Sequence, residues 1–167
     1  YQISVGDTIA NMTQLPVLAP PGAGIPTLQR LATRYYLLPK FYKKTSWESA
    51  QAFFDKEGLK ILQLARPLNP EQLGRRVLVD PLPGLEDSSR FWSVAMAMEH
   101  LTTVGELMRQ AIEALGQGKI PGDGAHVTTA DVKPQGTTEG EVRDPKLAIA
   151  EFEAFQKRFG ETVMHSK

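Results

Sequence analysis

Apolar and polar residues recur at a helical interval from Ser88 to Gly118. Placed at about 100° per residue, the apolar side chains cover one half of a helix, and the charged side chains cover the other half. This stretch is therefore predicted to be the central helix of the fold. The apolar half contains Val94, Ala97, Met98, Leu101, Val104, Met108, Ala111, Ile112 and Leu115, and the polar half contains Glu99, Glu106, Arg109, Gln110 and Glu113.

A shorter helix is predicted over residues 27–38. Leu28, Leu31 and Leu38 fall at helical spacing, and Pro39 should end the helix because proline disfavours the helical conformation of the residue before it. Residues 40–44 then mix three lysines with two aromatic rings. Such a cluster can mark a nucleic-acid or membrane surface, but in this chain we favour a helix end at which the lysine stems cover the rings.

A second helix is predicted to begin at Thr45, which forms a capping box with Glu48, and to run to about Arg66 before Pro67. Gly58 lies in its middle at a cost near 1 kcal/mol, which indicates the close approach of another helix. The apolar stripe that this helix should bury contains Trp47, Ala50, Phe54, Ile61, Leu62 and Ala65.

The last predicted helix begins with Asp144 as its N-cap and Pro145 in its first helical position. Its apolar face consists of Ala148, Phe152, Phe155, Phe159 and Val163. Because this face still runs where the sequence ends and no stop signal follows it, a closing element beyond Lys167 is expected.

Proline-rich and glycine-rich connections separate these helices. Residues 1–26 are predicted to form an extended arm that lies on the domain or is partly disordered, and residues 27–167 a single domain. The connection over residues 67–87 should hold one extended segment near Val77 to Val79. Residues 117–143 should contain a turn at Gly122 to Gly124 and an edge strand from His126 to Lys133. The sequon at Asn11 is too short a pattern to carry weight.

Composition narrows the functional classes. Lys plus Arg and Asp plus Glu both number 19, so no basic excess favours nucleic acid as a partner. The chain has no cysteine, which excludes disulfides, thiolate ligands and a cysteine nucleophile. No apolar run approaches the ~20 residues that cross a bilayer, so we expect a soluble, cytoplasmic protein without a membrane partner.

The one chemically suggestive feature is His100, which falls within the apolar half of the central helix. A buried imidazole must find partners for its nitrogens. The more ordinary interpretation is a hydrogen bond to a neighbouring helix, and the alternative is a metal ligand. The other histidines, His126 and His165, belong to different elements. Phosphate loops, nucleophile elbows, dinucleotide fingerprints and HExxH motifs do not occur in the sequence.

The segment FWSVAMAMEHL resembles the second helix of DinB-like proteins, which are bacterial four-helix bundles described as metal-dependent enzymes. Trp92 and Ser93 at its start, followed by His100 and Leu101, carry the likeness, and the order of helices over roughly 120 residues is similar. The resemblance implies an all-α, up-and-down four-helix bundle with long loops. It also implies that His100 binds a divalent transition metal, zinc or nickel, which would activate water or a thiol cosubstrate.

The sequence departs from the family in one respect. Family members carry two further ligands as histidines four residues apart on a final helix, and this sequence has no such pair. Either that helix lies beyond Lys167, or the predicted helix over residues 27–38 is the fourth helix of the bundle and the metal site is degenerate.

The favoured function is a metal-dependent enzyme of hydrolase or thiol-dependent transferase type, acting on an unknown small molecule. The alternative is a metal-free helical module that binds a partner or forms a homodimer through Phe152, Phe155 and Phe159.

Overall fold

The computed structural model describes residues 17–20, 22–120, 132, 134 and 144–165. Most of these residues are helical. The elements are α1 Thr27–Ala32, a π-helical turn Thr33–Leu37, α2 Leu38–Lys44, α3 Trp47–Ala65, α4 Pro70–Gly74, β1 Val77–Leu78, a 3-10 turn Asp87–Ser89, β2 Phe91–Trp92, α5 Val94–Gly116 and α6 Pro145–His165.

The core lies between the long helices α3, α5 and α6, with α4 closing one end. Leu62 and Ala65 of α3 meet Phe152 and Phe155 of α6 in one buried cluster that also includes Leu73 of α4. Phe155 is only 1% exposed and Leu73 is 0% exposed. Burying side chains of this size contributes about 1.5–3 kcal/mol each, so this cluster stabilises the packing of the three long helices.

Two glycines let α6 approach its neighbours closely. A side chain at Gly58 of α3 would overlap the side chain of Gln156, and a side chain at Gly105 of α5 would overlap the ring of Phe155. The predicted close approach at Gly58 is therefore confirmed, and α6 is the helix that makes it.

The N-terminal helix differs from its prediction. It continues past Pro39 to Lys44, so that α1, the π-helical turn and α2 form one uninterrupted helix over residues 27–44. Pro39 is tolerated because it comes directly after the π-helical turn, where the regular i→i−4 hydrogen-bond pattern is already changed. None of the residues in this helix is buried.

Two helices also start at residues other than those predicted. α3 is capped by Ser46, whose hydroxyl accepts a hydrogen bond from the Ser49 amide at 3.2 Å, whereas Thr45 ends the preceding helix. α5 begins at Val94, with Ser93 as its cap, because the residues before it form β2 and the 3-10 turn. The predicted cap at Asp144 is confirmed by a 3.0 Å hydrogen bond from the Lys146 amide to Oδ1.

The predicted extended segment in the connection before α5 is the first strand of a small antiparallel sheet. β1 and β2 pair Val77 with Trp92 and Leu78 with Phe91. The expected turn at Gly122 to Gly124 lies outside the described residues, as do Asn11 and most of the expected strand from His126 to Lys133.

The described residues thus form a mostly helical protein with a three-helix core and one two-stranded sheet. The class is compatible with the all-α expectation. Of the described helices, none combines the length and apolar character that crossing a lipid bilayer requires.

Candidate functional site around His100

His100 lies near the start of α5, and its ring is half-buried. Its Nδ1 atom is 2.6 Å from the carbonyl oxygen of Val132, a residue of the long connection between α5 and α6. A carbonyl oxygen can only accept a hydrogen bond, so the proton of the neutral ring lies on Nδ1. Nε2 then keeps its lone pair for another partner.

The ring of His100 also contacts Trp92 edge to face, with 5.1 Å between the ring centroids. Trp92 is fixed by the pairing of β2 with β1, and Ser93 then caps α5 so that His100 comes about two turns into the helix. The short strand and the helix start therefore place two aromatic side chains at one point. This contact is worth about 0.5–1.5 kcal/mol beyond the area that it buries.

His100 and Trp92 border a cavity of about 460 Å³. This volume is within the range of sites for small molecules. Its walls combine apolar side chains with a few polar ones, and they include Phe91, Met96, Leu85, Arg76, Glu86 and Ser89. The cavity can therefore hold an organic molecule whose polar groups meet the histidine and the polar side chains.

The N-terminal arm forms one wall of this cavity through Leu18 and Ala19. Two carboxylates hold the arm by its backbone. Oδ2 of Asp87 accepts a hydrogen bond from the Ala19 amide at 2.7 Å, and Oε1 of Glu86 accepts one from the Gly24 amide at 2.8 Å. We call this pair of contacts the arm latch.

Arg90 stabilises the arm latch by binding Asp87. Its Nη1 atom lies 2.6 Å from Oδ1 of Asp87, and its Nε donates to the carbonyl oxygen of Val79 at 2.9 Å. The hydrogen bond from the Ala19 amide and the bond from Arg90 both favour the charged carboxylate, and they lower the pKa of Asp87 below its ordinary value of 3.8. Asp87 is therefore ionised at neutral pH, which is the form that holds the arm.

The other residues considered as ligands do not join His100. His165 is exposed at the end of α6, with Nδ1 2.6 Å from the carbonyl oxygen of Glu161, and His126 lies outside the described residues. Glu106 is not simply solvated, as its place on the polar half suggested. It is 28% exposed and pairs with Arg109 at 2.7 Å, and this pairing is the main cause that raises the pKa of Arg109.

A metal ion needs more donors than His100 alone. Within the part of the chain that the structure describes, no three His, Cys, Asp or Glu side chains are grouped so that they could hold a metal ion.

Several parts of this site could not be recognised from the sequence. Trp92 was noted only for its likeness to a family motif, and Asp87 and Glu86 carried no signal because their partners are backbone amides. The arm was expected to lie on the domain or to be partly disordered, and its role as a wall of the cavity was not foreseen. Comparison with known protein families, with curated proteins and with solved structures finds nothing that matches this chain.

Proposed function

We propose that this chain is a DinB-like, metal-dependent enzyme in which His100 is a ligand of a divalent transition metal, zinc or nickel. The observation that carries the proposal is the hydrogen bond from Nδ1 of His100 to the carbonyl oxygen of Val132. Histidines that bind metals usually donate their second ring nitrogen to a carbonyl or carboxylate, which fixes the tautomer and the orientation of the ring. The cavity beside the ring leaves space for an ion and a substrate.

His100 is one ligand of the metal site that we propose. A catalytic zinc usually has three protein ligands, and His100 is the one that we assign among the described residues. The family resemblance implies two more from a histidine pair that the sequence does not contain. The hydrolase or thiol-dependent transferase type, the up-and-down four-helix arrangement, the cytoplasmic location and the bacterial source belong to the same proposal and rest on that resemblance.

Metal binding by the purified chain tests the proposal. We expect the wild-type chain, analysed at equilibrium with zinc or nickel, to bind one ion per chain, and His100→Ala to bind only traces. His165→Ala is the matched control, because His165 makes the same kind of hydrogen bond to a carbonyl oxygen but is exposed on α6. Equal trace metal in all three proteins would overturn the proposal.

A second function is favoured by the exposed apolar surface. Phe152 and Phe155, two of the three residues expected to form an open face, lie in the core at 2% and 1% exposure. Phe159, however, borders an apolar groove between α3, α5 and α6. A metal-free helical module would use such a surface to bind a partner. On this alternative, His100→Ala lowers stability and leaves the metal content unchanged.

A further inference from the structure

The helix over residues 27–44, which we call the basic helix, is exposed along nearly its whole length, although Thr33 is half-buried and Gln29 accepts a hydrogen bond from the Gly84 amide at 3.2 Å. Large apolar side chains that would normally be covered are open to solvent on it. Leu28 is 79% exposed, Tyr35 is 69% exposed and Tyr42 is 71% exposed. None of its residues is buried in the part of the chain that the structure describes. An exposed apolar patch of this extent marks a surface that binds something.

The charge of the basic helix separates it from the rest of the chain. It carries five basic residues, which are Arg30, Arg34, Lys40, Lys43 and Lys44, and no acidic residue. The remaining 149 residues carry 14 basic and 19 acidic side chains. The helix is therefore complementary in charge to the rest of the chain.

The core has an open face of its own on α5. Val94, Leu101, Met108 and Leu115 are spaced seven residues apart and therefore form one stripe along this helix. Their exposed fractions are 38%, 43%, 57% and 62%. We call this row the open stripe.

The open stripe continues into the groove between the core helices. The groove has a volume of about 220 Å³ and is lined by Trp47, Phe54, Ile112, Phe159 and Val163, among others. Ile112 follows Met108 by four residues on α5, so the groove and the stripe adjoin. Together they offer a helix-binding surface of the kind that takes an amphipathic helix.

The basic helix has the length that this surface requires. At 1.5 Å per residue, 18 helical residues measure about 27 Å, and the open stripe from Val94 to Leu115 measures about 31 Å. Only Thr45 and Ser46 join the basic helix to α3, and both have extended backbone angles. In its own chain the helix leaves the core through this joint without covering the stripe, since Met108 and Leu115 stay open.

We propose that two copies of this chain form a dimer by reciprocal exchange, in which the basic helix of each copy lies on the open stripe and groove of the other. Exchange of an identical element gives a closed two-fold dimer and makes each contact twice. The aromatic and leucine side chains of the basic helix would cover the stripe, and its cations would face the more acidic body of the partner copy.

Sedimentation velocity of the full chain tests the association. We expect wild-type protein to be dimeric at micromolar concentration, and Leu31→Glu in the basic helix and Met108→Glu in the open stripe each to give monomers. Both positions are exposed, at 46% and 57%, so the folded monomer should tolerate the change. Leu64→Glu is the matched control, because Leu64 is 73% exposed on α3 and lies outside the groove, and it should remain dimeric.

Cysteine cross-linking tests which surfaces contact each other. Because the chain has no cysteine of its own, only the introduced cysteines can form disulfides. Leu31→Cys and Met108→Cys are purified separately, mixed and oxidised. We expect a covalent pair that contains one copy of each variant, and no such pair when Leu64→Cys replaces Met108→Cys. Pairs of Leu31→Cys with itself, and no mixed pairs, would overturn the proposal by showing contact between two basic helices.

Two other occupants of these surfaces give different results. A monomeric Leu31→Cys, Met108→Cys double variant that closes an internal disulfide would show that the helix folds back on its own core. A monomeric wild-type chain that sediments with vesicles of phosphatidylserine and phosphatidylcholine, but not with phosphatidylcholine alone, would show that the basic helix binds an anionic lipid surface. Either result overturns the exchanged dimer.

Discussion

The imidazole of His100 contacts the indole of Trp92 edge to face, with 5.1 Å between the ring centroids. The two residues lie eight positions apart, one in a strand and one in the helix that follows it. The contact therefore depends on β2 being held by β1 and on α5 beginning at Ser93. A substitution at one of these residues should therefore change a measurable property of the other.

The first prediction uses Trp92 as a reporter of His100. The chain has two tryptophans, so Trp47→Phe leaves Trp92 as the only one. In that background, His100→Ala removes the hydrogen bond to Val132 and the ring contact. We expect the emission of Trp92 to shift to longer wavelength and its quenching by acrylamide to increase.

The same change should lower the free energy of unfolding by about 1–2 kcal/mol, because one hydrogen bond and one aromatic contact are lost. Urea unfolding measures this effect. His165→Ala in the same background should change stability by no more than about 0.5 kcal/mol, since that residue is exposed. An unchanged Trp92 spectrum in His100→Ala would contradict the observed ring contact.

The second prediction concerns the arm latch. The ionised carboxylate of Asp87 holds the Ala19 amide and Arg90, and these partners keep its pKa below 3.8. Asp87→Asn weakens both contacts, so the arm should exchange its amide hydrogens faster and be cleaved sooner by proteases. Asp80→Asn changes an exposed aspartate of the same connection and should leave the arm protected.

The pH dependence of the latch has a definite sign. Because the folded-state pKa is lowered, the contribution of Asp87 to stability is fully present above its ordinary pKa and is lost as the pH falls through the lower folded value. Wild type should therefore be more stable than Asp87→Asn near neutral pH, and the difference should vanish in acid. Urea unfolding over this range measures it, and a difference independent of pH would contradict the ionic latch.

The third prediction compares two glycines in long helices. Gly105 faces the ring of Phe155, and Gly160 has no heavy atom near the position that a side chain would take. Gly105→Ala should destabilise the fold by about 1–3 kcal/mol, because the ring cannot move freely within the core. Gly160→Ala should instead stabilise it by about 0.5–1 kcal/mol through helix propensity. Thermal or urea unfolding separates the two signs.

The fourth prediction tests the end of the core that α4 closes. Leu73 is 0% exposed, so Leu73→Ala should cost about 2–5 kcal/mol. Leu64→Ala changes a leucine that is 73% exposed, and it should cost no more than about 0.5 kcal/mol. Similar losses in the two variants would mean that α4 does not seal the core.

The parts of the fold that depend on neighbouring residues were predicted from the sequence. Asp144 and Pro145 open α6 as expected, because a cap and a first-turn proline act within a few residues. Gly58 indicated a close helix, because glycine in a helix interior is otherwise unfavourable. Thr45 and Ser46 are both good caps, and the choice between them depends on where the preceding helix ends.

The candidate site was harder to predict. The apolar half of the central helix indicated that His100 would be turned inward, and the structure places it half-buried beside a cavity. Its hydrogen-bond partner is a backbone carbonyl 32 residues away, rather than the neighbouring helix of the ordinary interpretation. Asp87 likewise binds an amide 68 residues away. A hydrogen bond to a backbone atom does not require a particular residue type in the partner. The spacing of residue types in the sequence therefore cannot predict such a contact.

Gly58 and Gly105 both face α6, so the core cannot form completely until this helix has been synthesised. α6 follows α3 and α5 in the sequence, so the ribosome synthesises the two helices that contain these glycines before the helix that packs against them. Until Phe152 and Phe155 have emerged, Leu62 and Met98 lack the two aromatic side chains that are buried with them in the core. We therefore expect nascent chains that stop before α6 to bind chaperones and to aggregate when released, whereas chains that include it should fold as one unit.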